Sequence, residues 1–139
     1  MAASQADWAT TKVNAIYDGG TQAVQFTIVK RVVSSTDPSD GKIHVTPITG
    51  VTDKPYGVIQ ENATTGSACS VVVIGGTKIA VDVSAAISAG DGVGISATGY
   101  AITYVTGSTL YLLGVVDCEA QAGAITSAVI NGAIPVKGA

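Results

Sequence analysis

Short runs of β-branched and aliphatic residues alternate with turn-forming residues along most of this chain. In the clearest stretch, 56–102, apolar runs at 68–74 and 77–83 are separated by Gly75-Gly76 and flanked by segments of Gly, Asp, Ser and Thr. Short apolar or alternating runs bounded by turn residues are typical of β-strands. The pattern therefore predicts an all-β fold of short antiparallel strands.

The same pattern predicts where the domain begins. Residues 1–20 show no sustained period, so they are predicted to form an N-terminal arm or irregular lead-in, and 21–139 a single β domain. Further strands are predicted at 22–33, 42–48, 57–60 and 109–116, and Asn131-Gly132 is predicted to turn a closing hairpin. A strand count of roughly eight to ten fits a compact β-sandwich and a small β-barrel equally well.

An internal echo appears when the chain is offset by 57 residues. Gly57-Val58-Ile59 then falls on Gly114-Val115-Val116, and Val72-Val73 falls on Val129-Ile130. In both copies a Gly-Val strand leads through a polar loop into a second apolar strand. Two interpretations stay open: a duplicated hairpin unit, or two hairpins built under the same constraints.

Composition favours a protein that works inside an assembly. Of the 139 residues 47% are hydrophobic and only 12% are charged, with a net charge of -3. A weakly charged surface is easily desolvated against a partner, which predicts a permanent partner. The seven basic residues are scattered, so nucleic acid is not the expected ligand. No apolar run approaches the ~20 residues of a membrane helix, and no signal peptide opens the chain, so synthesis in a cytoplasm is expected.

No set of residues with recognisable chemistry emerges. The Gly90–Gly94 run, GDGVG, matches neither of the phosphate-binding patterns G-x-x-x-x-G-K-[ST] and G-x-G-x-x-G. The sequence has no G-x-S-x-G nucleophile elbow whose serine the single histidine, His44, could activate. Together with Cys69 and Cys118, His44 does not form a metal-binding pattern. The two cysteines are predicted to be reduced and buried. We therefore expect no catalytic residues, no cofactor and no metal, and a protein that is not an enzyme.

Several segments together carry a family resemblance. They are 56–59, 71–74, 78–83, 89–93, 96–101, 113–116 and the closing run after residue 125. In these segments the chain resembles the head decoration (capsid cement) proteins of tailed bacteriophages. That resemblance implies a β-rich protein on the capsid exterior of a virion, made in the host cytoplasm. It also implies a homotrimer whose partner is the major capsid protein, with subunits of that protein bridged and stabilised.

Two groups of aromatic residues are candidate contact sites. Trp8, Tyr17 and Phe26 are predicted to contact the capsid or a neighbouring subunit, although Trp8 fits a cap on the domain's own core equally well. The alternative function is a carbohydrate- or receptor-binding module of a head appendage or fibre. That alternative would use the tyrosines that cluster at 100, 104 and 111.

Overall fold

All regular elements in the described part of the chain are β-strands. The computed structural model describes residues 10–32, 40–107 and 109–137. Its strands are β1 (Thr10–Tyr17), β2 (Ile28–Arg31), β3 (Ile43–Pro47), β4 (Gly57–Ile59), β5 (Ala68–Ala80), β6 (Gly92–Ile95), β7 (Ala101–Thr103), β8 (Tyr111–Leu112), β9 (Gly114–Val116), β10 (Ile125–Asn131) and β11 (Val136–Lys137). The all-β prediction is confirmed. Within these ranges there is no helix that could cross a membrane.

Five strands close into a barrel. Their order is β1-β3-β2-β4-β5, and β5 pairs again with β1 to complete the ring. The β1–β3 pair is parallel and the other four pairs are antiparallel. Closure removes the sheet edges, so the fold is a barrel rather than a sandwich. The buried interior consists of Ala15, Tyr17, Ala23, Val29, Val45, Ile59, Ala63, Cys69, Val71 and Val73.

The long strand β5 continues out of this barrel into a second group of strands. Its first half pairs with β1, and its second half pairs with β10, followed by β9, β6 and β7. The sequence predicts two strands here, separated at Gly75-Gly76. That prediction is wrong because Gly75 takes a φ of 106° while remaining paired, so the strand changes direction without ending.

The second group repeats the pairing of the first. A parallel bridge between Val81 and Ala101 joins β7 to the end of β5, as the parallel register between Tyr17 and Val45 joins β3 to β1. The antiparallel pairs β3–β2, β2–β4, β4–β5 and β5–β1 correspond to β7–β6, β6–β9, β9–β10 and β10–β5. We call β1–β4 with residues 68–74 the first unit, and 75–81 with β6, β7, β9 and β10 the second unit.

Backbone hydrogen bonds reproduce this correspondence residue by residue. In the first unit the Tyr17 amide donates to the Ser67 carbonyl at 3.0 Å, and in the second unit the Val81 amide donates to Ala124 at 2.8 Å. The two donors are 64 positions apart in the sequence and the two acceptors 57. Strands β1 and β2 match their counterparts at the offset of 64, whereas β4 and the first half of β5 match theirs at 57. The echo in the sequence is therefore the hairpin part of a repeat of five strands.

Part of the predicted N-terminal lead-in is a strand. The prediction of irregular structure through residue 20 is wrong for Thr10–Tyr17, which forms β1 and pairs with β3 and β5. Only Ala15 and Tyr17 in this strand are buried, and the residues from Thr10 to Lys12 are exposed. Because the apolar alternation is so brief, the strand is fixed by its two neighbours and not by its own pattern.

The closing hairpin predicted at Asn131-Gly132 is also wrong. Strand β11 pairs with β8, so no hairpin joins it to β10. The Gly132 amide donates to the Val73 carbonyl at 2.7 Å, and a Cβ on Gly132 would overlap the carbonyl of Tyr56. The glycine is therefore required for close approach of two backbones and not for a turn.

Candidate interaction surfaces

Of the three predicted contact residues, Trp8 lies outside the described residues and Tyr17 lies in the core. The Tyr17 side chain has no exposed area, and burial raises the pKa of its hydroxyl. Its hydroxyl oxygen is buried and has no hydrogen-bond partner among the described residues. The structure thus gives Tyr17 a packing role inside the first barrel in place of the predicted contact with a neighbour.

Phe26 lies at the junction of the two units. Its amide donates to the Ile59 carbonyl at 2.8 Å, and its carbonyl accepts from the Ala80 amide at 2.9 Å. The half-buried ring packs against the core of the second unit, with the Lys78 ammonium 6.0 Å from its centroid. Its contacts in the described residues are therefore those of a joint within the chain.

An apolar surface lies on the outside of the second unit. A groove of about 470 Å³ runs between β9, β10 and the segment after β10. Val115 is 47% exposed, Ile134 76% and Val136 60%, and half-buried Leu112 and Val129 complete the apolar lining. Contiguous apolar surface of this kind marks an interaction site more often than scattered single residues do. We call this surface the apolar groove.

A second cleft, of about 610 Å³, carries positive charge. Lys30, Arg31 and Lys54 line it together with Asp53. The Lys30 ammonium is 2.9 Å from an Asp53 carboxylate oxygen, which also accepts from the Thr49 and Gly50 amides. Burial alone would raise the pKa of Asp53, but these donors outweigh it and hold the pKa below its ordinary value. The net charge of the cleft therefore comes from Arg31 and Lys54.

His44 lies between two carboxylates. Its Nδ1 is 2.8 Å from an Asp18 oxygen and its Nε2 is 3.0 Å from an Asp40 oxygen. The hydrogen bond with Asp40 is the main cause that raises the pKa of the imidazole, and Asp18 adds to it. These bonds connect the residue after β1 and a residue before β3 to the start of β3. Because the carboxylates bind opposite ring nitrogens, all three groups cannot converge on one metal ion.

Other potential ligand sites are poorly formed in the described part of the chain. No group of three or more His, Cys, Asp and Glu side chains there is arranged to hold a metal. Cys69 is buried in the barrel, which raises its thiol pKa, but Cys118 is exposed, so the prediction that both cysteines are buried is wrong for Cys118. Tyr104 and Tyr111 line a cleft of only 150 Å³, below the roughly 300 Å³ typical of ligand pockets.

The geometry defines a chain of two fused β units, the first of them a closed barrel, that offers surfaces for contact. No family model matches the sequence, and no curated protein matches it. The fold is similar to that of the head fiber gp8.5 N base of bacteriophage phi29, with a TM-score of 0.63 and 16% sequence identity. The similarity covers 89% of this chain and 96% of that one. At this identity the match shows a shared fold.

Proposed function

We propose that this chain is a structural protein of a phage virion that binds the outside of the head. The observation that carries the proposal is the match of the whole fold to a protein described as a phage head fiber base, over 89% of this chain and 96% of that one. The sequence resemblance to head decoration proteins points independently to the same place. Two signals of different kind thus support a position on the phage head.

On the head, the proposed role is to bridge neighbouring major capsid protein subunits and stabilise the shell. Bridging needs a rigid body, and here a closed barrel and a second β unit share strand β5. It also needs surfaces that desolvate easily, as 12% charged residues and the apolar groove provide. A homotrimer would multiply modest contacts into high avidity. The proposal includes no catalysis, no cofactor and no nucleic-acid ligand.

The second candidate is a fibre or appendage role with receptor or carbohydrate binding. The name of the structural neighbour favours a fibre base, since that protein is described as part of a head fiber. Sugar binding itself has weaker support, because the cleft between Tyr104 and Tyr111 is small. In this version the chain would attach the appendage to the head without stabilising the shell.

The test is binding of the purified chain to expanded, DNA-free capsids of the phage that encodes it. Cosedimentation should give saturable binding with a fixed number of chains per capsid, and electron cryomicroscopy should place them outside the shell. Heating the same capsids then separates the roles, since a bridging protein raises the temperature of shell disruption and an appendage base leaves it unchanged. Absence of saturable binding would overturn the proposal, and glycan binding by the free chain would support the second candidate.

A further inference from the structure

We infer that the apolar groove on the second unit is the contact surface for another copy of this chain, which docks there through its first unit. The inference builds on the self-association included in the proposed function and assigns it to a particular face. It is argued from the internal repeat, which shows what covers the equivalent face elsewhere in the same molecule.

In the first unit this face is fully covered. Ile28, Val58 and Val72 point out of the first barrel, yet they are only 0–1% exposed. They belong to the same buried cluster as Ile79 and Val81, which lie inside the second unit. The outer wall of one unit is therefore buried by the body of the next unit along the chain.

In the second unit the same wall is open. The counterparts of Val58 and Val72, at an offset of 57 residues, are Val115 and Val129, which line the apolar groove. Val58 has no exposed area, whereas Val115 is 47% exposed. Apolar residues thus occupy a face whose burial in the first unit depends on a second unit packed against it.

A polar residue at the edge of the groove shows the same difference. In the first unit Gln60 reaches across to the second unit, with its side-chain nitrogen 2.9 Å from the Thr77 hydroxyl. Its counterpart Asp117 lines the groove, and its Oδ2 is buried without a hydrogen-bond partner among the described residues. A buried, unsatisfied carboxylate oxygen is costly, so a donor from a docked neighbour would relieve that cost.

The body that buries such a wall within the chain is a barrel unit of this fold, so another copy carries a suitable partner. In that copy the second unit already buries the wall of its own first unit, so the unit that remains available for docking is the first. The resulting contact is head-to-tail, and head-to-tail contacts close into rings when the rotation between copies permits. Three copies related in this way form a cyclic trimer.

The test is the mass of the purified full chain by light scattering across a concentration series, without capsids. We expect a trimer of about 41 kDa, three times 13.8 kDa, for the wild type. Val115→Asp and Ile134→Asp should each shift the mass to that of the monomer, because each places a charge in the groove. Val83→Asp is the matched control, since Val83 is 81% exposed and does not line the groove, and it should remain a trimer.

Circular dichroism shows whether each variant is folded, so that dissociation of the trimer is not mistaken for unfolding. If Val115→Asp does not fold, Ile134→Asp tests the groove instead. A wild type that stays monomeric, or groove variants that stay trimeric, would overturn the inference. A dimer would also overturn it, because face-to-face contact joins copies in pairs. Capsid binding plays no part in this measurement, so its failure and that of the proposed function can be told apart.

Discussion

Phe26 and Gly90 occupy the same position in the two units, and both have positive φ, at 67° and 85°. Each amide donates to the equivalent strand, to Ile59 and to Val116 respectively, both at 2.8 Å. A phenylalanine in this conformation is uncommon, so its conformation is fixed by these hydrogen bonds and by packing of its ring between the units.

The repeat thus allows the backbone requirement to be tested where no ring is involved. Gly90→Ala should lower the free energy of unfolding by about 1–2 kcal/mol, because alanine disfavours positive φ and no neighbouring atom lies within 4 Å of the new Cβ. Gly50→Ala is the control, since its site is equally open and its φ is not positive. Urea unfolding of both variants measures the difference, and equal stabilities would contradict the argument.

Tyr17 offers a second test at the residue scale. Because its buried hydroxyl has no partner among the described residues, Tyr17→Phe removes an unsatisfied polar group and keeps the ring. The free energy of unfolding should stay the same or rise by up to about 1 kcal/mol, whereas Tyr17→Ala should lower it by about 3–5 kcal/mol through the cavity it leaves. A marked loss of stability in Tyr17→Phe, measured by urea unfolding, would show that the hydroxyl is bonded.

His44 predicts how stability depends on pH. The folded chain raises the pKa of His44 above its ordinary 6.5, so its stabilising contribution is fully present below pH 6.5 and is lost as pH rises through the folded pKa. His44 is the one histidine in the sequence, which makes this window easy to assign. Stability of the wild type should fall as the pH rises above 6.5 and through the raised folded pKa, and that of His44→Gln should change much less. Parallel pH profiles from urea unfolding would contradict this assignment.

At the scale of elements, the sequence predicted the strands with dense apolar patterns and missed those defined by their neighbours. Strands β4, β9 and β10 and the two halves of β5 follow from the Gly-Val pairs and valine runs, but the continuity of β5 through Gly75-Gly76 does not. The glycines of these pairs share a reason, because a Cβ at Gly57 or Gly114 would overlap a carbonyl of the adjacent strand. Strand β1 was missed because its exposed polar half hides its alternation.

The repeat was only partly visible in the sequence, because its two halves do not share one offset. The offset is 64 residues for β1 and β2, and it falls to 56 between β3 and β7, where Val45 corresponds to Ala101. The chain is accordingly eight residues longer from Arg31 to Val45 than between the equivalent residues Ile95 and Ala101. A single-offset comparison therefore detects only the β4–β5 hairpin and its copy.

At the scale of the whole molecule, the apolar groove could not be predicted from sequence. Val115 and Val129 have the alternation of core residues, and a strand pattern does not distinguish a face buried within the chain from one buried by a neighbour. The predicted contacts of the aromatic residues rest on residue type alone, and the structure places Tyr17 in the core and Phe26 at the joint. The open wall differs from its covered counterpart only in burial at equivalent positions, and that difference exists only in the three-dimensional repeat.

The two units should unfold as one because β5 belongs to both and their cores meet. Val58 lies in the first unit and has no exposed area, but it packs in the cluster that fills the second. Val58→Ala should therefore lower the free energy of unfolding by about 2 kcal/mol in a single transition, and Val83→Ala, at an 81% exposed site, by less than about 0.5 kcal/mol.

Native-state hydrogen exchange locates the effect. Amides in β4 and in β10 should lose protection equally in Val58→Ala. Unchanged protection in β10 would mean that the two units unfold separately. Burial of the first unit's wall by the second unit would then contribute nothing to stability, and the same would be expected of a neighbour docked at the groove.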